Sequence, residues 1–160
     1  MSHHSHLIQQ FYDALEKRDW RTMQACYHDS ATFSDPVFKD LTAKQAKAMW
    51  HMLTEAAQSL VITYGDVKTT EFKGSCRWEA RYHFSKTGRP VHNKISAHFT
   101  FKDGKILTHT DAFSLWRWCS MALGFPGIML GWSPFMTGKV RQTAQKSLEK
   151  FIQTHPEYRE

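Results

Sequence analysis

The sequence predicts an α+β fold in which helices come first and a curved antiparallel sheet follows. Three observations carry this reading. Apolar residues recur at helical spacing up to about residue 57 and at strand spacing from residue 60 onward. The runs Trp78-Ala80-Tyr82-Phe84 and Ile95-Ala97-Phe99-Phe101 alternate with polar residues, as in strands that bury one face. The chain has 160 residues, near the size of one domain, so a single domain over residues 1–160 with one core is expected.

Each element has its own signal. Leu7, Ile8, Phe11 and Leu15 lie on one face of a first helix, with Ser5 as its N-cap. Trp20, Met23 and Tyr27 suggest a short second helix. Residues 31–35 read as a short strand stopped by Pro36. Thr42 and Gln45 form a capping box ahead of Ala46, Met49, Trp50, Leu53 and Ala57. A four-strand meander follows, with turns at residues 86–90 and at Asp103-Gly104. Leu115–Leu123 reads as a helix, residues 125–136 as an apolar loop, and Val140, Ala144, Leu148, Phe151 and Ile152 as one face of a last helix ending before Pro156.

Composition narrows the class. The hydrophobic share of 41% suits a soluble globular chain and excludes a wholly disordered one. The 14% aromatic content points to a large ring-lined core or cavity wall. The net charge of +6 comes from dispersed residues. Lys139, Arg141, Lys146 and Lys150 read as a solvated helix face, so no nucleic-acid partner is expected. Cys26, Cys76 and Cys119 have no metal-type spacing, and their odd number argues for a reducing, cytoplasmic setting. No signal peptide is visible in the polar residues 1–6, and His3, His4 and His6 read as part of a disordered terminus, with no metal. Ala112–Met136 carries one charge, Arg117, but Gly124, Pro126, Gly127, Gly131 and Pro134 interrupt any transmembrane helix.

The order of these elements, with "SATFSDPVF" at residues 30–38 and "DGKILTHTDAFSLW" at residues 103–116, resembles the nuclear transport factor 2 superfamily, and within it the SnoaL-like, polyketide cyclase-like group. The resemblance covers about residues 5–123. It implies a cystatin-like cone, a curved sheet wrapped around the N-terminal helices with an apolar pocket inside. Residues 124–155 are then a C-terminal helical extension. The resemblance also implies a homodimer through the sheet, consistent with the mixed polar outer face of Arg77, Glu79, Arg81, His83, Lys94, Ser96, His98 and Thr100. The apolar stretch at 125–136 calls for a cover as well.

Parity locates candidate site residues. If the Asp103-Gly104 hairpin is a three-residue loop, the odd residues Leu107, His109, Asp111 and Phe113 face inward beside Phe99. Asp111 and His109 then join Asp35 as candidate catalytic groups. Apolar walls raise a carboxylate's pKa, which suits acid/base work, and His109 suits proton shuttling or orientation. Structural readings stand beside these: an Asx turn for Asp35, an ion pair or helix anchor for Asp111, a satisfied core imidazole for His109. Trp78, Tyr82, Phe84, Phe99, Phe113, Trp50 and Phe11 are the candidate ligand-binding rings, and Trp116 a further core or wall ring.

Two enzyme groups of the superfamily frame the chemistry. "ATFSDPVF" resembles the ketosteroid isomerase segment whose Asp before Pro is the base, a match to Asp35. The oxyanion donors of that group correspond here to Phe11 and Ala97, which cannot donate, and the adjacent Tyr12 is expected to point elsewhere. "GKILTHTDAFSL" resembles the limonene epoxide hydrolase ending, a match to Asp111. The Arg and Asp that accompany it there correspond here to Trp78 and Ala80. Three classes stay open. They are cofactor-free acid/base catalysis (isomerase, cyclase or hydratase type) on a small apolar molecule, non-catalytic binding of such a molecule, and a dimeric interaction module with a vestigial pocket.

Overall fold

The computed structural model describes residues 2–160. Its elements are α1 (His3–Glu16), α2 (Trp20–Ala25), β1 (Tyr27–Ser34), β2 (Leu41–Thr42), α3 (Ala43–Ala56), β3 (Gln58–Thr69), β4 (Lys73–His83), β5 (Pro90–Lys102), β6 (Lys105–Ala112), α4 (Leu115–Leu123), α5 (Phe125–Leu130) and α6 (Pro134–Thr154). A 3-10 turn at Pro156–Tyr158 follows.

Six strands form one sheet in the order β2-β1-β6-β5-β4-β3. The sheet is mixed, not purely antiparallel, because β1 runs parallel to β6. The segment between these two strands contains α3 and the meander, long enough for a parallel return. Helices α1 and α3 bury their apolar stripes against the inner face, where Ile8, Phe11, Tyr12, Met49 and Trp50 meet Trp78, Ala97 and Phe99. The alternation of β4 and β5 is regular: odd residues 91–101 of β5 are all buried.

Residues 2–6 pack onto the fold and are not a loose tail. Ser2, not Ser5, caps α1 and accepts from the Ser5 amide at 3.1 Å. His4 stacks on Phe101 at 4.0 Å, and His3 bonds the Gly104 carbonyl at 3.1 Å. Tyr27 begins β1 and is not helical, and β2 is a two-residue strand without a sequence signal. The Thr42–Gln45 capping box is present as expected. Residues 125–136 are not a loop. They form α5 and the start of α6, with Gly127 and Gly131 permitting the close contact. A Cβ on Gly127 would stand 1.9 Å from the Cys119 carbonyl oxygen, so α5 lies directly against α4.

The last hairpin reaches the expected parity by a different route. Its loop has two residues, since Lys102 pairs with Lys105, and Asp103 (φ 54°) and Gly104 (φ 73°) both occupy the left-handed region of a type I′ turn. That turn alone would put even residues of β6 inward, as it does for buried Ile106. A bulge then intervenes: Phe101 pairs with Ile106 but Thr100 with Thr108, leaving Leu107 as the extra residue. Beyond it Phe99 faces His109 and Ala97 faces Asp111, both on the inner side.

Candidate functional site

An apolar cavity of about 570 Å³ lies between the inner sheet face, α3 and the C-terminal helices. Its floor is Trp50, Ile62, Trp78, Ala80 and Ile95, and Met136, Val140 and Ala144 of α6 form one wall. These α6 residues recur at three- and four-residue spacing, so one helical stripe faces the void. Farther along the same helix, Leu148 is fully buried. Exposed Lys86, Thr87, Lys139 and Thr143 also line the cavity, which places its mouth between the β4–β5 turn and α6.

Asp35 and Asp111 both line this cavity. Asp35 sits just past β1, where its Oδ1 accepts from the amides of Val37 (2.7 Å) and Phe38 (2.6 Å), an Asx turn enforced by Pro36. Burial raises its pKa to about 6. The two amide bonds oppose that rise, the negative charge of Asp111 adds to it, and His109 opposes it. Because the folded value exceeds the unfolded one, ionising Asp35 costs stability. The contribution of Asp35 to stability is therefore highest below about pH 4, falls as pH rises to about 6, and then levels off. The total loss is about 3 kcal/mol. Asp35→Asn keeps an acceptor for both amides and cannot ionise, so denaturant unfolding across this window should show the slope in the wild type and not in the variant. Parallel curves would refute the assignment.

Asp111 is 4% exposed and ends a buried hydrogen-bonded chain. Trp50 Nε1 donates to the Tyr27 hydroxyl (2.9 Å), Tyr27 bonds His109 Nδ1 (2.7 Å), and His109 Nε2 bonds Asp111 Oδ1 (3.0 Å). Trp78 Nε1 also donates to that oxygen at 3.4 Å. An indole nitrogen can only donate, so one arrangement satisfies every member: Tyr27 donates to Nδ1, and His109 carries its proton on Nε2 and donates to Asp111. Each carboxylate thus uses Oδ1 for protein contacts. Among the described residues neither Oδ2 has a hydrogen-bond partner.

The other sequence candidates divide. Trp50, Trp78, Tyr82, Phe84 and Phe113 line the cavity, whereas Phe11, Phe99 and His109 do not. Phe11 and Phe99 pack on the imidazole at 5.5 and 4.5 Å and form the core beneath the site, with His109 1% exposed between them. His109 therefore lies beneath the cavity and meets it only through its bond to Asp111. Tyr82 is tied to the Trp118 indole (2.8 Å) and makes no hydrogen bond to Asp111. Trp116 points to solvent, and Trp118 lines the cavity in its place. Tyr12 is fully buried in the core, its hydroxyl without a hydrogen-bond partner among the described residues, and it is not among the residues that line the cavity.

Two residues escaped the sequence reading. Tyr27, read from the sequence only as part of a short helix, carried no signal of its link to the site, because that link depends on His109, 82 positions away. Asn93 lines the cavity at 8% exposure, and its amide makes no side-chain hydrogen bond to a described residue. The odd parity of β5 was its available signal. Asn93 lies four residues along β5 from Ala97, the partner of Asp111, which separates the two polar groups by about 13 Å of strand.

Known proteins share this architecture. Among solved structures the chain is similar to a protein of ketosteroid isomerase-like fold from Catenulispora acidiphila DSM 44928 (TM-score 0.65, 11% identity, 80% of this chain and 97% of that one). It is also similar to IdmH, a candidate polyketide cyclase from Streptomyces antibioticus (TM-score 0.62, 18% identity, 73% and 96%). A third is an LEH-like epoxide hydrolase of M. tuberculosis (TM-score 0.61, 14% identity, 79% and 89%). At these identities the likeness is one of fold, the nuclear transport factor 2-like fold. No curated protein matches the chain. The model of the SnoaL-like domain matches residues 8–109, a span that stops before Asp111 and the α6 wall. With more than half of its length so matched, and with the fold in agreement, the chain belongs to the SnoaL-like domain family.

Proposed function

We propose that this protein carries out cofactor-free general acid/base chemistry, of isomerase, cyclase or hydratase type, on a small apolar molecule held in the cavity. The observation that carries this reading is the convergence of Asp35 and Asp111 on one apolar void, each with one oxygen anchored and one left to the void. Two carboxylates in such a site are costly unless they serve a purpose. Asp35, with its pKa raised to about 6, is half-ionised at about pH 6 and mostly ionised at neutrality, which suits a proton-accepting role. Asp111, held through His109, Tyr27 and Trp50, is the oriented second acid or base. Asn93 hydrogen-bonds a polar group at the far end of the occupant.

A thermal-shift screen with small cyclic ketones, epoxides and polycyclic aromatics tests the reading. A ligand at a hundredfold excess over its Kd stabilises by about 2.7 kcal/mol, a rise of about 5–10 °C for a chain of this size. Ala80→Phe, which fills the cavity, should abolish the shift, and Asn93→Leu should weaken it only for ligands with two polar ends. A shift that survives Ala80→Phe would place binding elsewhere and remove the proposal's basis.

A further inference from the structure

The α4–α5–α6 corner displays an unusual surface. Trp116, Phe125, Ile128, Met129, Leu130, Trp132 and Phe135 are all exposed, the last two at 70% and 72%. These side chains sit on a rigid platform: the Gly127 and Gly131 contacts lock α5 onto α4. Trp116 Nε1 donates to the Ile128 carbonyl (3.1 Å), and Trp132 Nε1 to that of Met129 (2.8 Å). Contiguous apolar patches of this kind are uncommon on monomers and mark interaction sites.

Charge selects the occupant. Residues 112–148 contain no Asp or Glu and four basic residues, Arg117, Lys139, Arg141 and Lys146. Exposed Arg89 adds to the rim, its Nε bonded to the Met121 carbonyl at the end of α4. A second copy docking by the same face would set this rim against itself. An anionic surface meets both features, with indole and phenyl rings at headgroup depth and basic side chains on lipid phosphates. Among the described residues no helix is long and apolar enough to cross a membrane, so contact would be with one leaflet only.

The patch also adjoins the cavity mouth. Lys139 belongs to the cavity lining, and its ammonium lies 5.9 Å from the Phe135 ring centroid, so the rim of the mouth and the edge of the patch are one turn of α6. We infer that the α4–α5–α6 corner docks on an anionic lipid bilayer, inserting Trp132, Phe135 and Phe125, and takes up apolar molecules from it through the adjoining mouth. This does not depend on what the cavity does to its occupant.

The test is flotation of the full chain with phosphatidylcholine vesicles, with and without one quarter phosphatidylglycerol, alongside tryptophan emission. Flotation with the anionic vesicles, accompanied by a blue shift, is expected, and much less with phosphatidylcholine alone. Trp132→Ser with Phe135→Ser should reduce partitioning about tenfold or more, since both rings are exposed and their loss leaves the core intact. Arg117→Glu with Lys139→Glu should do the same, and added salt should mimic it. Melting temperatures of both double variants should stay near the wild-type value, separating lost docking from lost folding. Failure of the wild type to float with anionic vesicles overturns the inference. So does a wild-type dimer that the Trp132/Phe135 variant converts to monomer, because the patch would then be a protein interface.

Discussion

Asp111→Asn should lower turnover by roughly 10²-fold or more, with a melting temperature close to that of the wild type. The asparagine has the same shape and keeps a side-chain oxygen for the His109 Nε2 proton and the Trp78 indole, so the buried chain to Tyr27 and Trp50 survives. What is lost is the ability of the second oxygen to exchange a proton with a molecule in the cavity. The substrate is whichever compound from the thermal-shift screen is converted by the wild type, followed by mass spectrometry of the product. Binding of that compound should change much less than its turnover. Wild-type rates in a correctly folded Asp111→Asn protein would assign Asp111 to structure alone. If Asp35 is the proton acceptor, the wild-type rate should rise with pH through about 6, the range in which that carboxyl ionises, and Asp35→Asn should remove this limb.

Tyr27→Phe should be the most damaging change for stability among those that keep the shape of the core, at about 3 kcal/mol. Tyr27 is 2% exposed, and its hydroxyl stands between the Trp50 indole and His109 Nδ1. Removing that oxygen leaves a buried donor and a buried acceptor without partners, each a loss of about 1–3 kcal/mol. Water cannot readily replace it, since Phe11 and Phe33 close around the same imidazole at 5.5 and 4.9 Å. For a chain of this length the expected fall in Tm is about 10 °C. Tyr82→Phe serves as the comparison: its hydroxyl holds only the half-buried Trp118 indole, and its loss should lower Tm far less. Equal effects of the two substitutions would show that the Tyr27–His109–Asp111 chain has no special part in holding the fold.

Much of the architecture is legible along the chain because it depends on short-range periodicity. Alternation in β4 and β5 names the buried residues directly, and Thr42 with Gln45 announces α3. The sequence also marks Asp35 before Pro36 as a turn former, and the amide bonds to Val37 and Phe38 follow from that geometry. Glycine and proline in residues 124–134 rightly break any long helix. They do not forbid short ones, and α5 forms because Gly127 lets it lie against α4.

The remainder was decided in three dimensions. Turn chemistry at Asp103-Gly104 argues for even residues of β6 inward. Only packing against the core selects the bulge at Leu107 that turns His109 and Asp111 to the inner face, because burying two apolar registers at once requires an extra residue. His109 lies on the inner face yet below the cavity, since Phe11, Phe99 and Trp50 from three other elements cover it. The α6 wall and the link from Tyr27 to His109 join residues far apart in sequence. By itself the sequence determined which face of each element is apolar, because that is set by neighbours three or four positions away in a helix and two away in a strand. Which polar atoms meet on those faces was settled only when the sheet curled around the helices, because a buried hydrogen bond is specified by distance in space and has no local signature.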